Sequence, residues 1–194
     1  MKVAQLSGSP RANVGKKDAK ALRDAGQIPC VLYGQGTQTH FSVKDLAIEK
    51  LVFNPDVFKI ELDIDGKKSE AIIQELQQDP ITDRVMHVDF LELNAKKAVK
   101  VALPVRLTGS SRGVMAGGKL MQVFRRLKVV GLPGDLPEAI TIDISKLRIG
   151  QSVRVGDLET EGLKFVDAKN AVVVAVKMAR GASKAAEIDD EDED

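Results

Sequence analysis

The sequence is short of the residues that most often announce a specialised chemistry. Of 194 residues one is cysteine, Cys30, two are histidine, His40 and His87, and none is tryptophan, while six phenylalanines and one tyrosine hold the aromatic fraction at 4%. A lone cysteine makes no internal disulfide. One thiol beside two separated imidazoles has no spacing for a structural zinc site, so no metal or other cofactor is expected and a reducing, cytoplasmic setting fits. So few rings argue against a carbohydrate groove or a single-strand stacking platform. Long apolar runs are missing as well. The longest, residues 171–176, is far short of the roughly 20 residues a bilayer-spanning helix needs, and the opening MKVAQLSGSP lacks the apolar core of an export signal. A soluble, unexported protein with no membrane partner is the expectation.

With 43% hydrophobic and 29% charged residues the chain can bury one or two cores. Net charge is nearly absent too, but its value of +1 is a sum of unlike parts: −2 over residues 1–94, +9 over 95–180 and −6 over 181–194. The first forty residues are +4 by themselves, with Lys2, Arg11, Lys16, Lys17, Lys20 and Arg23 against Asp18 and Asp24. A short cationic segment can face phosphate whatever the whole-chain charge. The closing EIDDEDED repels itself and buries nothing, so a disordered acidic tail is expected over 181–194.

Local patterning is mostly that of strands. The first residues suit a strand, punctuated by Gly8, Ser9 and Pro10 into a loop that carries Arg11. Residues 16–25 read as a helix stopped by Gly26, and Lys16, Lys20 and Arg23 fall within about 60° of one another at 100° per residue. Strands follow at 30–33 and 40–43 around the Gly34-Gln35-Gly36 turn, then a second helix at 45–53. Asp65-Gly66 between two alternating runs predicts a tight hairpin. In a strand at 84–93, Met86, Val88 and Phe90 share one face, the core face, and His87 and Asp89 share the other with Val85 and Leu91. From Asn94 a linker leads into alternating runs at 99–107, 140–144, 152–155, 163–166 and 172–176, the pattern of a sandwich or barrel. The expected fold is mainly β in two domains: residues 1–94, with strands and short helices, and 95–180, all β.

Two constellations invite chemistry. GVMAGGKL (residues 113–120) fits the spacing of a phosphate loop, yet Leu120 stands where a hydroxyl should hold magnesium, and the following residues read as strand where a helix N-terminus is required. A glycine-rich β turn is the better reading. His87 and Asp89 could be an acid/base dyad, but no nucleophile, third ligand or second carboxylate accompanies them, so no enzyme is expected. An imidazole and a carboxylate on one strand face can instead serve a structural hydrogen-bonding role alone, or hydrogen-bond base edges or 2′-hydroxyls.

The order of Arg11, GKKDAKALRDAGQIPCVLYGQG (15–36) and IIQELQQDPITDRVMHVDFLEL (72–93) resembles the bacterial 5S rRNA-binding ribosomal protein family, the twenty-fifth of the large subunit, which includes the general stress protein Ctc. Residues 109–158, with GVMAGGKL and LPEAITIDISKLRIGQSVRVGDL, resemble the extra C-terminal domain of its long form. The resemblance implies a structural constituent of the 50S subunit, acting in translation, whose N-terminal antiparallel β-barrel grips loop E of 5S rRNA from the minor-groove side. It implies phosphate or sugar contacts from Arg11, Lys16, Lys20 and Arg23, and nucleotide contacts from Tyr33, Gln74, His87 and Asp89. The chain departs from the family at Ala21, Asp24 and Gln78, where arginine or another basic residue is frequent. Neighbouring 23S rRNA or ribosomal proteins are the expected partners of the basic C-terminal domain. A stress-response protein-interaction module working through that domain is the alternative.

Overall fold

The computed structural model describes residues 1–158 and 162–178; the acidic tail at 181–194 lies outside the described residues. The chain divides into two compact units. The first is Met1–Val101 with Leu132–Glu138, and the second is Ala102–Gly131 with the chain from Ala139 onward.

The first unit is a closed six-stranded barrel. Its strands are β1 (Lys2–Pro10), β2 (Gln27–Tyr33), β3 (Gln38–Lys44), β4 (Phe58–Ile64), β5 (Lys67–Gln78) and β6 (Val85–Glu92), in the order β1-β3-β2-β6-β5-β4. Four seams are antiparallel, and β1–β4 and β2–β6 are parallel. Alternation drives closure: Ile60, Leu62 and Ile64 of β4, and Val88 and Phe90 of β6, enter one core with Leu6, Ile28, Cys30 and Phe41. Phe41 and Phe90 meet there at 5.6 Å between ring centroids. Helix α2 (Asp45–Val52) adds the fully buried Ile48 to the same core. Asp65 and Gly66, at φ 53° and 80°, form the expected hairpin turn between β4 and β5.

Two local expectations are corrected. Gly8, Ser9 and Pro10 do not open a loop but complete β1, with Ser9 opposite Ser42 and Pro10 opposite Phe41. Glycine is needed because a Cβ at position 8 would lie 2.6 Å from Phe41 Cδ2, and proline is tolerated at the last position because no further ladder bond is asked of it. In β6 it is Val85, not Met86, that joins the core. The ladder skips a residue there, pairing Gln77 with His87 but Gln78 with Val85, so a bulge reverses the alternation at Met86.

The second unit has two sheets. One orders β10 (Ile140–Asp143), β7 (Val99–Thr108), β9 (Arg126–Gly131) and β12 (Lys164–Phe165); the other orders β11 (Ser152–Arg154), β13 (Val172–Met178) and β8 (Gly118–Gln122). The glycine-rich segment is not a β turn throughout, because residues 112–115 form a single helical turn, α3 (Arg112–Met115), before β8. Its glycines serve packing. A Cβ on Gly113 would sit 2.6 Å from the Ile149 nitrogen, and one on Gly118 2.7 Å from Val176 Cγ1. A loop so filled by its own neighbours cannot cradle a phosphate.

Candidate nucleic-acid interface

Helix α1 (Lys16–Asp24) lies against β2. Its contact face is built from Asp18, Ala19, Leu22 and Arg23, all half-buried, which leaves Lys16, Lys17 and Lys20 exposed. With one side covered by α1 and the other turned into the barrel, β2 is buried from Ile28 through Leu32. Two polar contacts fix the helix. At its start the Arg11 guanidinium, only 7% exposed, donates through Nη2 to Asp18 Oδ2 at 2.6 Å, while the Arg11 amide donates to the His40 carbonyl at 3.0 Å. At its end Arg23 Nη1 donates to the Met86 carbonyl at 3.4 Å. The backbone of β6 thus ties the cationic helix to the strand bearing His87 and Asp89.

On β6 those two side chains form a pair, Nδ1 to Oδ1 at 2.7 Å, each 28% exposed. A carboxylate only accepts, so Nδ1 is the donor in this bond. Register places more polar groups on the same outer face. Val31 of β2 and Glu75 of β5 flank Asp89, and Tyr33 flanks Leu91. A second bulge falls at Gln74: Ile73 pairs with Phe90 and Glu75 with Asp89, so Gln74 and Glu75 together face Asp89. Partial burial, followed by the charges of Asp89 and Glu75, raises the Tyr33 phenol above its ordinary range. The hydroxyl therefore stays protonated and can donate.

Tyr33, Gln74, His87 and Asp89 thus share one sheet face. Arg23 reaches the same strand from α1, and Lys16 and Lys20 stand exposed on that helix. Arg11 alone is set back, beneath the helix and paired with Asp18. Sequence reasoning missed Glu75, whose place on this face depends on the bulge, and it missed the turn after β5. There Asp79 Oδ1 accepts from the Ile81 amide at 2.8 Å and the Thr82 amide at 3.1 Å, and these bonds hold its carboxyl below the usual range. Among the described residues no cluster of side chains suits a metal ion, and no helix is long and apolar enough to cross a membrane.

Residues 6–90 match the Ribosomal L25p family, and residues 98–180 match the Ribosomal protein TL5, C-terminal domain. Among individual proteins, the large ribosomal subunit protein bL25 of Porphyromonas gingivalis is 48% identical over 188 residues, 96% of this chain and 98% of the relative. That of Parabacteroides distasonis is 44% identical over 94% of this chain and 96% of its own length. In Bacteroides thetaiotaomicron the figures are 41% identity, 96% and 97%.

Proposed function

The chain belongs to the bL25 family of large ribosomal subunit proteins, and on that premise we propose that its first unit binds the loop E region of 5S rRNA through α1 and the outer face of β2, β5 and β6. The role is structural, not enzymatic, and cytoplasmic, within the 50S particle. The observation that carries the reading is the bond from Arg23 to the Met86 carbonyl, which joins a helix of exposed lysines to the strand of the His87–Asp89 pair.

The division of labour follows from the chemistry. Lys16, Lys20 and Arg23 neutralise phosphates, which positions RNA without reading it. Arg11 acts one step back, holding α1 in place through Asp18. Tyr33, Gln74, His87 and Asp89 offer donors and acceptors to base edges and 2′-hydroxyls. Asp89 supplies discrimination, because with Oδ1 held by His87 its other oxygen is tolerated against RNA only where the RNA's shape brings a donor to it.

Binding of 5S rRNA followed by gel shift across a salt series tests this. Three phosphate contacts give a slope of log K against log salt of roughly −2 to −3. Retained affinity after removal of residues 1–94 overturns the proposal. Asp89→Ala is expected to weaken binding to loop E more than binding to a plain RNA duplex, and equal losses on both would show that Asp89 does not read shape.

The second unit fits a neighbouring ribosomal RNA. On β9 exposed Arg126 and Lys128 alternate with buried Leu127 and Val129, and exposed Lys164 of β12 pairs with Val130 on the same outward side.

A further inference from the structure

A cleft of about 440 Å³ runs between the C-terminal half of α1 and the β5–β6 turn, with Lys20, Arg23 and Arg84 on its rim and Ile28, Val85 and Met86 beneath. The turn beside it carries Ile81, which is 91% exposed. Ile81 does not ride on a loose loop. Besides the two amides held by Asp79 Oδ1, the Asp79 amide donates to the Arg84 carbonyl and the Asp83 amide to the Asp79 carbonyl, both at 2.9 Å. Gln78 Nε2 adds a bond to the Asp83 carbonyl at 3.4 Å, and Asp83 takes φ 55°. Bracing on this scale presents a large apolar side chain to solvent in a fixed pose, so a partner that meets it orders little on binding.

The surroundings say what kind of partner. A protein's apolar pocket would answer Ile81 but not the cations next to it. Three acidic groups line the cleft with the three cations: Asp24 is exposed, and Asp79 is already occupied by two amides. Asp45 has a buried Oδ1 with no hydrogen-bond partner among the described residues. The acceptor that a ribose hydroxyl can reach is therefore the exposed Asp24 carboxylate. Cations for a phosphate, an acceptor for a hydroxyl and an apolar tip for a sugar or base face are together the complement of a ribonucleotide strand.

We propose that the cleft and the β5–β6 turn form a second RNA contact, with a backbone phosphate seated among Lys20, Arg23 and Arg84 and Ile81 packed on the adjoining nucleotide. The proposal rests on the 5S rRNA reading and adds Arg84 and Ile81 to it.

The test uses the full chain. Because Cys30 is buried, Ile81→Cys supplies the one reachable thiol, and an iron–EDTA group tethered there generates hydroxyl radicals beside whatever lies against the turn. Bound to 5S rRNA, the conjugate is expected to cut a single short cluster of nucleotides. Ile81→Ser is expected to weaken binding roughly three- to tenfold with the salt slope unchanged, and Arg84→Gln to flatten the slope by roughly 0.7 to 0.9. A complex that forms but shows no cleavage above an untethered control overturns the second contact and leaves the first intact, as do parental affinity and slope in both variants. Cleavage that falls on a neighbouring protein in intact 50S particles, with none on RNA, overturns it in favour of a protein partner. Failure to form any complex with 5S rRNA overturns the parent reading and this contact with it.

Discussion

Arg11 and Asp18 show how one residue can serve a binding surface without touching the ligand. The guanidinium is 7% exposed and its partner carboxylate 36%, and Arg11 Nε is buried without a hydrogen-bond partner among the described residues. Removing the carboxylate strands a charge that water reaches poorly, so Asp18→Asn is expected to lower stability by roughly 1–3 kcal/mol, read from urea unfolding. On the helix's exposed side, Lys20→Ala is expected to leave stability within about 0.5 kcal/mol of the parent. If the two variants unfold alike, Asp18 does not anchor α1. Cys30 offers a second check on the same region. Burial pushes its thiol up to about 12, so a thiol reagent at neutral pH is expected to modify it only as fast as the barrel opens.

At the scale of elements, the barrel is shaped by two bulges and one close approach. The bulge at Gln74 doubles the residues facing Asp89, and the one at Met86 turns Val85 into the core and frees the Met86 carbonyl's neighbourhood for Arg23. The close approach is Gly8 against Phe41. Gly8→Ala must displace a fully buried ring packed at a tilt against Phe90, and a loss of roughly 1–3 kcal/mol is expected in thermal unfolding. The β5–β6 turn responds to acid. The Asp79 carboxyl is held low by the Ile81 and Thr82 amides, so its contribution is complete above the ordinary carboxylate range and is lost as pH falls through the depressed folded value. The protection of the Ile81 amide, its deuterium exchange measured against an unstructured amide at the same pH, is therefore expected to hold above the ordinary carboxylate range and to fall only in acid. Exchange at the unstructured rate at neutral pH would mean that the bond does not protect it.

For the whole molecule, charge separation along the chain matters more than the net value. Residues 181–194 contribute −6, so their removal changes the formal net charge from +1 to +7. The truncated chain is expected to bind unrelated RNA more tightly at low salt, with the difference fading as salt screens it. Unchanged non-specific affinity would show that the tail does not temper the cationic remainder. Unfolding of the truncated chain is expected to match the parent, on the expectation from sequence that a dense like-charge block does not drive burial.

Local and pairwise features were legible from residue order alone: both helices of the first unit, the Asp65-Gly66 hairpin, the shared face of His87 and Asp89, and the mainly β architecture. Each depends on interactions within a few positions, where side-chain period and turn chemistry act directly. Closure of the barrel and its two parallel seams, the bulges at Gln74 and Met86, the burial of Arg11 and the extension of β1 through Pro10 were decided only by the tertiary structure. These depend on what a distant strand presents: Phe41 over Gly8, Phe90 and Asp89 opposite β5, and Asp18 above Arg11. Periodicity assigns a side chain to a face. Only the assembled ladder decides where that period breaks and which residue then turns toward the ligand.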